Sequence, residues 1–477
     1  MKDFAKTACD MLEGRVEYGD VRVVESRDES YVVKNGKVES VSSSSDLGFG
    51  VRVLVDGCWG FAASSALTKD EAVKVVKQAI DIAKASSTVR GERVKLDKSS
   101  PSVSSYRSEF AKDPFEIPTS EKIELLLNAD SEMRKEKGVK VSRATMSFQK
   151  TDKVFSSTEG ALIDQSFTES GAGISALAVK EGDVQIRSYP TSFGGNYANR
   201  GYEFVLAMDL VGNAPRVAEE AVKLLSAREC PKGVTTVILE SAQLALQIHE
   251  SIGHPIELDR VLGTEASYAG TSFVTMDKLK SFRYGSDLVN VYADAEVKGG
   301  LGSFGFDDEG VPGQRTPVIE KGMFKGYLSS RETAPVLGVN SSGAMRADGW
   351  NRIPLIRMTN INLEPGDWRF DDLIADTEDG LFLATNKSWS IDDKRLNFQF
   401  GTEAAYAIKN GKLGEIYKNA VYTGITPDFW ASCDAICDAD HWQLWGVPNC
   451  GKGQPGQTAH VGHGASPARF RNIRVGV

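Results

Sequence analysis

The sequence has 477 residues, which is too long for one ordinary hydrophobic core, so two or three domains are expected. Hydrophobic residues make up 41% and charged residues 25% of the chain, a balance typical of globular proteins in water, and the formal net charge is −9. Because a nucleic-acid binder needs a basic face, the acidic excess predicts no nucleic-acid partner.

Two further features bear on the cellular compartment. The first residues lack the apolar core of a secretory signal, and no apolar run approaches the roughly 18 residues that a membrane span needs. Six cysteines in 477 residues are too few for a disulfide scaffold. These features predict a cytoplasmic protein with reduced thiols and no membrane partner.

The first region, residues 1–112, is predicted to be an α+β subdomain. Three segments alternate apolar and polar residues around glycine-containing turns, which predicts antiparallel strands at 20–26, 30–41 and 48–56. Thr68 and Glu71 then form a capping-box pattern that predicts the start of a helix. Its apolar positions at helical spacing are Val73, Val76, Ile80 and Ala83.

A second α+β subdomain is predicted at residues 113–230. It begins with a helix, continues as strands over 139–189 and closes with a helix over about 214–226. The tracts 48–61 and 173–189 resemble each other weakly, each as a strand pair around a glycine turn, but this similarity is too weak to predict a repeat. Neither subdomain contains a histidine.

The third region, residues 231–477, begins with a predicted strand at 234–239 and a helix from about Ser241. Many short strand-like segments follow, separated by Gly, Asp and Asn turns, and the last covers 470–475. Helices are scarce here, so we predict a β-rich antiparallel domain with one functional helix near its start. The fold class of the whole chain is therefore α+β rather than a βαβ parallel repeat.

Residues with metal-binding side chains are concentrated in this third region. All five histidines of the chain occur there, namely His249, His254, His441, His460 and His463. Three of the six cysteines accompany the later histidines, namely Cys433, Cys437 and Cys450. Imidazole and thiolate are the donors that zinc prefers, so this concentration suggests a metal site.

Residues 249–254 read His-Glu-Ser-Ile-Gly-His, an HExxxH pattern. It is one residue longer than the HExxH of zincins, in which two histidines four apart share one helix face. A spacing of five places the second imidazole about 140° around an ideal helix, too far to share a metal. A bulge that absorbs the extra residue restores the facing geometry. We expect Gly253 to supply flexibility and Pro255 to keep His254 out of the helical conformation.

These six residues alone leave two interpretations open: a shared metal, or two unrelated histidines near a helix end. A catalytic zinc site also needs a third protein ligand and a free position for water. The candidates for that third ligand are Cys450, His441, His460 and His463, and their spacing does not choose among them.

Several motifs together carry a family resemblance that covers essentially the whole chain. They are Gly50-Val-Arg-Val-Leu-Val-Asp-Gly-Cys-Trp-Gly-Phe-Ala62, His249-Glu-Ser-Ile-Gly-His254 with Glu257 and Asp259, Arg357-Met-Thr-Asn-Ile361, and Asn449-Cys-Gly-Lys452 followed by Gly453-Gln454. The combination resembles the TldD/PmbA peptidases, and specifically their TldD-like branch, which bears HExxxH.

The resemblance implies two N-terminal α+β subdomains and a β-rich C-terminal catalytic domain. It also implies Zn²⁺ held by His249, His254 and Cys450, with Glu250 as the general base. Family members act as homodimers, or as heterodimers with a related subunit that lacks the metal motif. They cleave unstructured peptides, which are thought to lie as an added strand in a cleft with a narrow opening. Since all three zinc positions are present, the chain resembles the active kind of subunit.

Ordinary metal chemistry then predicts that Glu250 takes a proton from zinc-activated water and passes it to the leaving amine. Glu257 and Asp259 are either hydrogen-bond partners of the ligand histidines or a solvated acidic turn. Two other functions stay open: a non-catalytic, peptide-binding partner subunit, and a metal-dependent amidase acting on non-peptide amides. The donors suit zinc, although the affinity order of divalent metals alone favours copper.

The remaining histidines and cysteines are predicted to have no metal. Cys433, Cys437 and His441 recur every four residues, but the resembling family has no metal role there, so an ordinary exposed element is expected. His460 and His463 are expected at the surface or lining the substrate cleft. The lone thiols are expected to be buried packing residues, namely Cys9, Cys58 and Cys230.

Overall fold

Two eight-stranded sheets, a six-stranded sheet and a two-stranded sheet make up the strand framework of the protein. The structure, a computed structural model, describes residues 1–89, 91–98 and 100–476. Val477, the end of the predicted third region, lies outside the described residues. Within those ranges, no helix has the length and apolar character needed to cross a membrane.

One eight-stranded sheet is shared by the first two predicted subdomains. The elements up to residue 229 are α1 (Lys2–Asp10), β1 (Tyr18–Lys34), β2 (Lys37–Val55), β3 (Cys58–Ser64), α2 (Lys69–Ser87), β4 (Val103–Arg107), α3 (Thr119–Arg134), β5 (Val139–Ser157), β6 (Leu162–Lys180), β7 (Asp183–Tyr189), β8 (Asn196–Ala198), α4 (Tyr202–Ala207), α5 (Leu210–Ser226) and β9 (Arg228–Glu229). The strand order is β3-β2-β1-β5-β6-β4, and β7 and β8 also pair with β6. Both subdomains are thus α+β, but they are joined edge to edge.

The two halves of this sheet have the same order of elements. A helix, three consecutive antiparallel strands and a second helix occur as α1-β1-β2-β3-α2 and again as α3-β5-β6-β7 with α5. The equivalent strands β1 and β5 pair antiparallel, from Asp20 opposite Ser157 to Lys34 opposite Arg143. Antiparallel pairing of equivalent strands relates the halves by an approximate two-fold axis. The weak similarity of 48–61 and 173–189 therefore reflects a structural repeat.

Two local predictions in the first half need correction. The strand predicted at 30–41 is a hairpin, because Asn35 and Gly36 turn the chain between β1 and β2 with φ of 50° and 76°. Helix α2 begins as predicted, with Thr68 Oγ1 accepting a hydrogen bond from Glu71 N. Val73 is exposed, however, and the buried face of α2 consists of Ala72, Val75, Val76, Ala79, Ile80 and Ala83.

The C-terminal region is β-rich, as predicted. Its elements are β10 (Gly233–Leu239), α6 (Ser241–Ile248), α7 (Leu258–Val261), β11 (Val291–Asp294), β12 (Arg315–Glu320), β13 (Met323–Phe324), β14 (Met345–Arg346), β15 (Leu355–Ile356), β16 (Asn360–Leu363), α8 (Phe370–Ala375), β17 (Asp379–Ile391), β18 (Asn397–Lys409), β19 (Lys412–Lys418), β20 (Val421–Ile425), α9 (Thr426–Ala431), β21 (Cys433–Ile436), β22 (Gln443–Lys452), β23 (Gln457–Ala465) and β24 (Ala468–Val475). Most of its strand pairs are antiparallel, which confirms the α+β class.

Helix α6 lies between the two sheets of this region. The second eight-stranded sheet has the order β17-β10-β24-β20-β18-β19-β9, and β17 also pairs with β18, so five strands close into a barrel. The six-stranded sheet has the order β13-β12-β11-β16-β23-β22. Leu244, Ile248, Ile252 and Ile256 recur every four residues along the helix and the turns after it, and all four are fully buried in the core shared by the two sheets. This packing fixes the direction of the polar residues between them.

Candidate metal centre

The HExxxH segment contains the irregularity that its spacing requires. Helix α6 ends at Ile248, and His249–Gly253 continue as a π-helical turn in which His254 N donates to His249 O, five residues back. A 3₁₀ turn follows at His254–Ile256. The π turn absorbs the additional residue, so the prediction of a bulge is confirmed.

The predicted effects of Gly253 and Pro255 on the backbone are wrong. Gly253 has ordinary helical dihedrals, φ −59° and ψ −57°, so backbone flexibility is not what the position uses. A Cβ atom at residue 253 would instead lie 2.1 Å from Met358 Sδ. His254 stays in the helical region with φ −66° and ψ −40°. Pro255 is tolerated after it because the first turn of a 3₁₀ helix needs no N–H donor from that position.

Cys450 completes a cluster of three possible metal ligands. It lies on β22 after a shift in the β22–β23 register between Val447 and Cys450. Its Sγ is 3.4 Å from His249 Nε2 and 3.7 Å from His254 Nε2, and all three side chains are buried. Zn–N bonds of about 2.1 Å and a Zn–S bond of about 2.3 Å at tetrahedral angles separate nitrogen from sulfur by about 3.6 Å. The donor set therefore fits a metal ion of this kind.

Each histidine of the cluster has a buried partner on its other ring nitrogen. With Nε2 directed at the cluster, His249 Nδ1–H donates to His463 Nε2 at 2.7 Å, and His254 Nδ1–H donates to Glu257 Oε2 at 3.0 Å. Such bonds fix the tautomer and the ring orientation of a metal ligand. Burial lowers the pKa of His249 and lowers that of His254 further, so both rings are held neutral and able to coordinate.

His463 was expected at the surface or in the substrate cleft, and this expectation is wrong. The side chain is fully buried against His249, with ring centroids 4.8 Å apart. It is a partner of a candidate ligand, and 214 residues separate the two in sequence.

The Cys450 thiol is also adjusted toward its metal-binding form. Burial by itself raises its pKa, but His254 and the positive charge of Arg357 outweigh this effect and the net pKa is below the ordinary thiol value. Arg357 Nη2 also donates to the Cys450 carbonyl oxygen. A lower pKa favours the thiolate, which is the form that binds metals.

The acidic residues after HExxxH form a buried network, so the solvated-turn interpretation is wrong. Lys452 Nζ is fully buried and lies 2.7 Å from Asp259 Oδ1, 3.1 Å from Glu265 Oε1 and 3.4 Å from Glu257 Oε2. Glu257 thus bridges Lys452 and His254, whereas Asp259 contacts the lysine and no histidine. The lysine offsets the charge of the carboxylate that orients His254.

Glu250 faces a cavity of about 280 Å³ beside the cluster. Its carboxylate forms an ion pair with Arg395 Nη1, a residue that the sequence analysis did not single out. Phe193 and Trp389, also not singled out, line the same cavity as a T-shaped pair with ring centroids 5.2 Å apart. They come from segments distant in sequence, and no local pattern identifies them.

The other predicted positions lie outside the cluster. Within the described ranges, His249, His254 and Cys450 are the one group of three close possible ligands. His460 Nδ1 lies 2.5 Å from Glu169 Oε2 and His441 Nδ1 lies 2.6 Å from Asp438 Oδ1. Cys433 and Cys437 are buried, which contradicts the exposed element expected there. Of the lone thiols, Cys9 and Cys230 are buried as predicted, whereas Cys58 is half-buried.

Comparisons with known proteins identify the family of the chain. Profiles described as PmbA/TldA metallopeptidase domain 1, central domain and C-terminal domain match residues 19–83, 112–229 and 232–476. A metalloprotease of Methanocaldococcus jannaschii is 33% identical over 95% of this chain and 96% of its own length. A protein of Saccharolobus solfataricus named a zinc metalloprotease TldD homologue is 24% identical over 91% of each chain.

Solved structures share the fold. The crystal structure of a Thermotoga maritima protein, described as a candidate modulator of a DNA gyrase, superposes with a TM-score of 0.78 at 18% identity, covering 99% of both chains. The profile matches span most of the sequence, and the metalloprotease relative is similar over nearly its full length. The chain therefore belongs to the PmbA/TldD family of metallopeptidases.

Proposed function

We propose that the protein is a zinc-dependent peptidase that hydrolyses peptide bonds in unstructured or extended peptides. The observation that carries the proposal is the convergence of His249, His254 and Cys450 next to the Glu250 carboxylate at a cavity. Two imidazoles and a thiolate suit zinc better than harder cations such as magnesium or calcium. The relative that is named a zinc metalloprotease supports the same choice.

The residues of this chain would act as follows. His249, His254 and Cys450 would hold zinc, which when bound supplies a Lewis acid that acidifies water and polarises a carbonyl group. Glu250 accepts a proton from the attacking water and delivers it to the amine nitrogen as the C–N bond breaks. His463 and Glu257 keep both ligand imidazoles in the tautomer with a free Nε2 lone pair.

The cavity supports a peptide substrate. Phe193 and Trp389 are about half exposed, and their rings offer apolar contact to side chains on either side of the bond to be cleaved. A cavity of about 280 Å³ holds an extended segment and excludes a folded domain. We therefore propose residues 231–477 as the catalytic unit, with 1–112 and 113–230 as the two subdomains that complete the enzyme.

The setting of the enzyme is part of the proposal. We propose a cytoplasmic protein that works as a homodimer, or as a heterodimer with a related family subunit, as the family resemblance implies. The free state of all six cysteines supports a reducing compartment, because a metal-binding thiolate has to stay reduced.

Metal content and peptide turnover test the proposal together. Untagged protein is expected to contain near one zinc per chain by plasma mass spectrometry, and Cys450→Ser is expected to lose it. Cys433→Ser is the matched control, because Cys433 is a buried thiol of the same domain outside the cluster. Glu250→Gln is expected to keep zinc and to lose about 10²–10⁴-fold in turnover of an unstructured peptide.

Three outcomes would contradict parts of the proposal. Peptide cleavage that survives Glu250→Gln with zinc retained rejects Glu250 as the general base. No zinc in wild-type protein, even after incubation with the metal, favours a non-catalytic peptide-binding partner. Turnover of small amides without turnover of peptides favours a metal-dependent amidase.

A further inference from the structure

Arg395 has a backbone conformation that arginine seldom adopts. It lies in the turn between β17 and β18 with φ of 62°, in the left-handed region that glycine and asparagine occupy more readily. Glycine would make this turn without steric strain. Residues kept in such conformations cluster at functional sites. We therefore expect a function of the side chain to explain why arginine occupies this position.

The turn holds Arg395 in a fixed position. The Asp392 carboxylate accepts hydrogen bonds from Leu396 N and Asn397 N, and Arg395 N donates to Asp392 O at 2.9 Å. From outside the turn, Thr426 Oγ1 donates to the Arg395 carbonyl oxygen at 2.9 Å. The side chain is therefore directed into the cavity from a rigid backbone.

Several N–H donors of the Arg395 guanidinium have no acceptor among the described residues, although the group lies next to Glu250. Its Nη1 pairs with the Glu250 carboxylate, and only 15% of the side chain is exposed. Nε is buried without a hydrogen-bond partner, and among the described residues Nη2 donates to no protein atom. Arg395, His249 and His254 line the same cavity, which places the guanidinium beside the candidate metal ligands. An arginine carries five N–H donors, and most of these remain free.

We infer that Arg395 is a catalytic residue whose guanidinium binds the oxygen of the scissile carbonyl group and stabilises the negative charge that develops there; this inference rests on the proposed peptidase function. As water adds to the carbonyl carbon, its proton passes to Glu250 and the π electron pair moves onto the carbonyl oxygen beside Arg395. The C=O bond re-forms as the C–N bond breaks, and the departing nitrogen takes the proton from Glu250. A fixed donor at that oxygen lowers the barrier because it is already oriented.

Three variants of the turn separate this role from a structural one. Arg395→Gly removes the guanidinium and suits the left-handed backbone, so it is expected to fold. Arg395→Lys keeps a positive charge but loses the planar set of donors. Lys394→Ala is the matched control, because the exposed neighbouring lysine has no side-chain hydrogen bond among the described residues. All three are expected to keep the zinc content of the wild type.

Kinetics and inhibitor binding give the expected results. For an unstructured peptide, Arg395→Gly is expected to lower kcat by about 10²–10³-fold with little change in KM. Added guanidinium is expected to restore part of the lost kcat. Arg395→Lys should lie between the wild type and Arg395→Gly, and Lys394→Ala should match the wild type. By calorimetry, the affinity for a phosphinic peptide, which carries an anionic oxygen at this place, should fall by a similar factor. The affinity for the amine product, which carries no new carboxylate at this place, should stay unchanged.

The outcomes that overturn the inference are separate from those that overturn the proposed function. In the Glu250→Gln background, Arg395→Gly should still weaken phosphinic-peptide binding; no loss there means that Arg395 acts only by holding Glu250. A loss confined to peptides with a free C-terminal carboxylate, absent for their amides, makes Arg395 a carboxylate-recognition residue. Either result leaves the peptidase intact. A wild-type protein without zinc and without peptide turnover overturns both.

Discussion

The hydrogen bond between His249 and His463 allows the geometry of the candidate metal centre to be tested with a single substitution. His463→Phe keeps a ring of similar size in the buried position but offers no acceptor to His249 Nδ1–H. His463→Gln keeps an acceptor oxygen at similar reach. The two variants therefore separate the loss of the hydrogen bond from the loss of packing.

The expected loss of zinc affinity in His463→Phe follows from the burial of His249. His249 is only 4% exposed, so water cannot replace the lost acceptor. A buried N–H without a partner costs about 1–3 kcal/mol. The cost falls on the metal-bound state, in which Nε2 must face the metal and Nδ1 must keep its proton. At about 1.4 kcal/mol for each tenfold change, we expect zinc affinity to fall about 10- to 100-fold, the range found for lost partners of metal ligands.

Competition between the protein and a chromophoric chelator measures the zinc dissociation constant. His463→Phe is expected to show the full loss, and His463→Gln is expected to stay within a few-fold of the wild type. His460→Gln serves as the control, because this histidine is on the same strand but pairs with Glu169. Wild-type affinity in His463→Phe would refute the reasoning. Equal losses in His463→Phe and His463→Gln would assign the effect to packing.

Three further predictions concern the surroundings of the site. Lys452→Met leaves the buried carboxylates of Glu257 and Asp259 without their cation and leaves Glu265 paired with Arg260 alone. It should lower the free energy of unfolding, measured by urea denaturation, by about 3–5 kcal/mol. Burial lowers the pKa of His460, but the Glu169 carboxylate outweighs this effect, so the net pKa is raised. The His460–Glu169 pair therefore stabilises the fold fully below about pH 6.5, and this stabilisation is lost as the pH rises through the raised pKa. Thermal unfolding across that window should show a larger decrease for the wild type than for His460→Gln. Gly253→Ala should destabilise by about 1–3 kcal/mol, because the new Cβ would meet Met358 Sδ.

Each of these predictions has an outcome that would contradict it. A loss below about 1 kcal/mol in Lys452→Met would mean that the carboxylates take up protons or water instead. Identical pH dependence of the wild type and His460→Gln would remove the Glu169 pair as a source of stability. For Gly253→Ala, the addition of Met358→Ala should recover part of the lost stability, and no recovery would locate the strain elsewhere.

Local features of the site could be predicted from sequence because they depend on neighbouring residues. The five-residue spacing of His249 and His254 required an irregular turn, and the structure contains a π turn at that place. The function of Gly253 could not be predicted, because Met358 approaches it from a distant segment. The role of His463 was predicted wrongly and Arg395 was missed for the same reason: each reaches the site through the tertiary fold, and neither is part of a local pattern.

The fold, like the site, was predictable from sequence in its local features but not in its long-range contacts. Strand and helix periodicity identified the α+β class and the β-rich C-terminal region. The pairing of β1 with β5, which joins the first two subdomains in one sheet, depends on contacts between strands more than 100 residues apart in sequence. The turn at Asn35 and Gly36 was overlooked because the alternation of apolar residues continues across it, although Asn-Gly is a strong hairpin signal.

The separation of the possible ligands along the chain links metal binding to folding order. His254 and Cys450 are 196 residues apart, and all strands of the barrel after β10 except β24 are formed by the chain between them. Contacts of such long range form late in folding. A chain in which the β22–β23 hairpin has not yet docked offers only two histidines, so tight metal binding requires the finished domain. A bound ion would then act as a cross-link between the π turn and β22 at the edge of its sheet, and chelation should release that hairpin before the rest of the domain loosens.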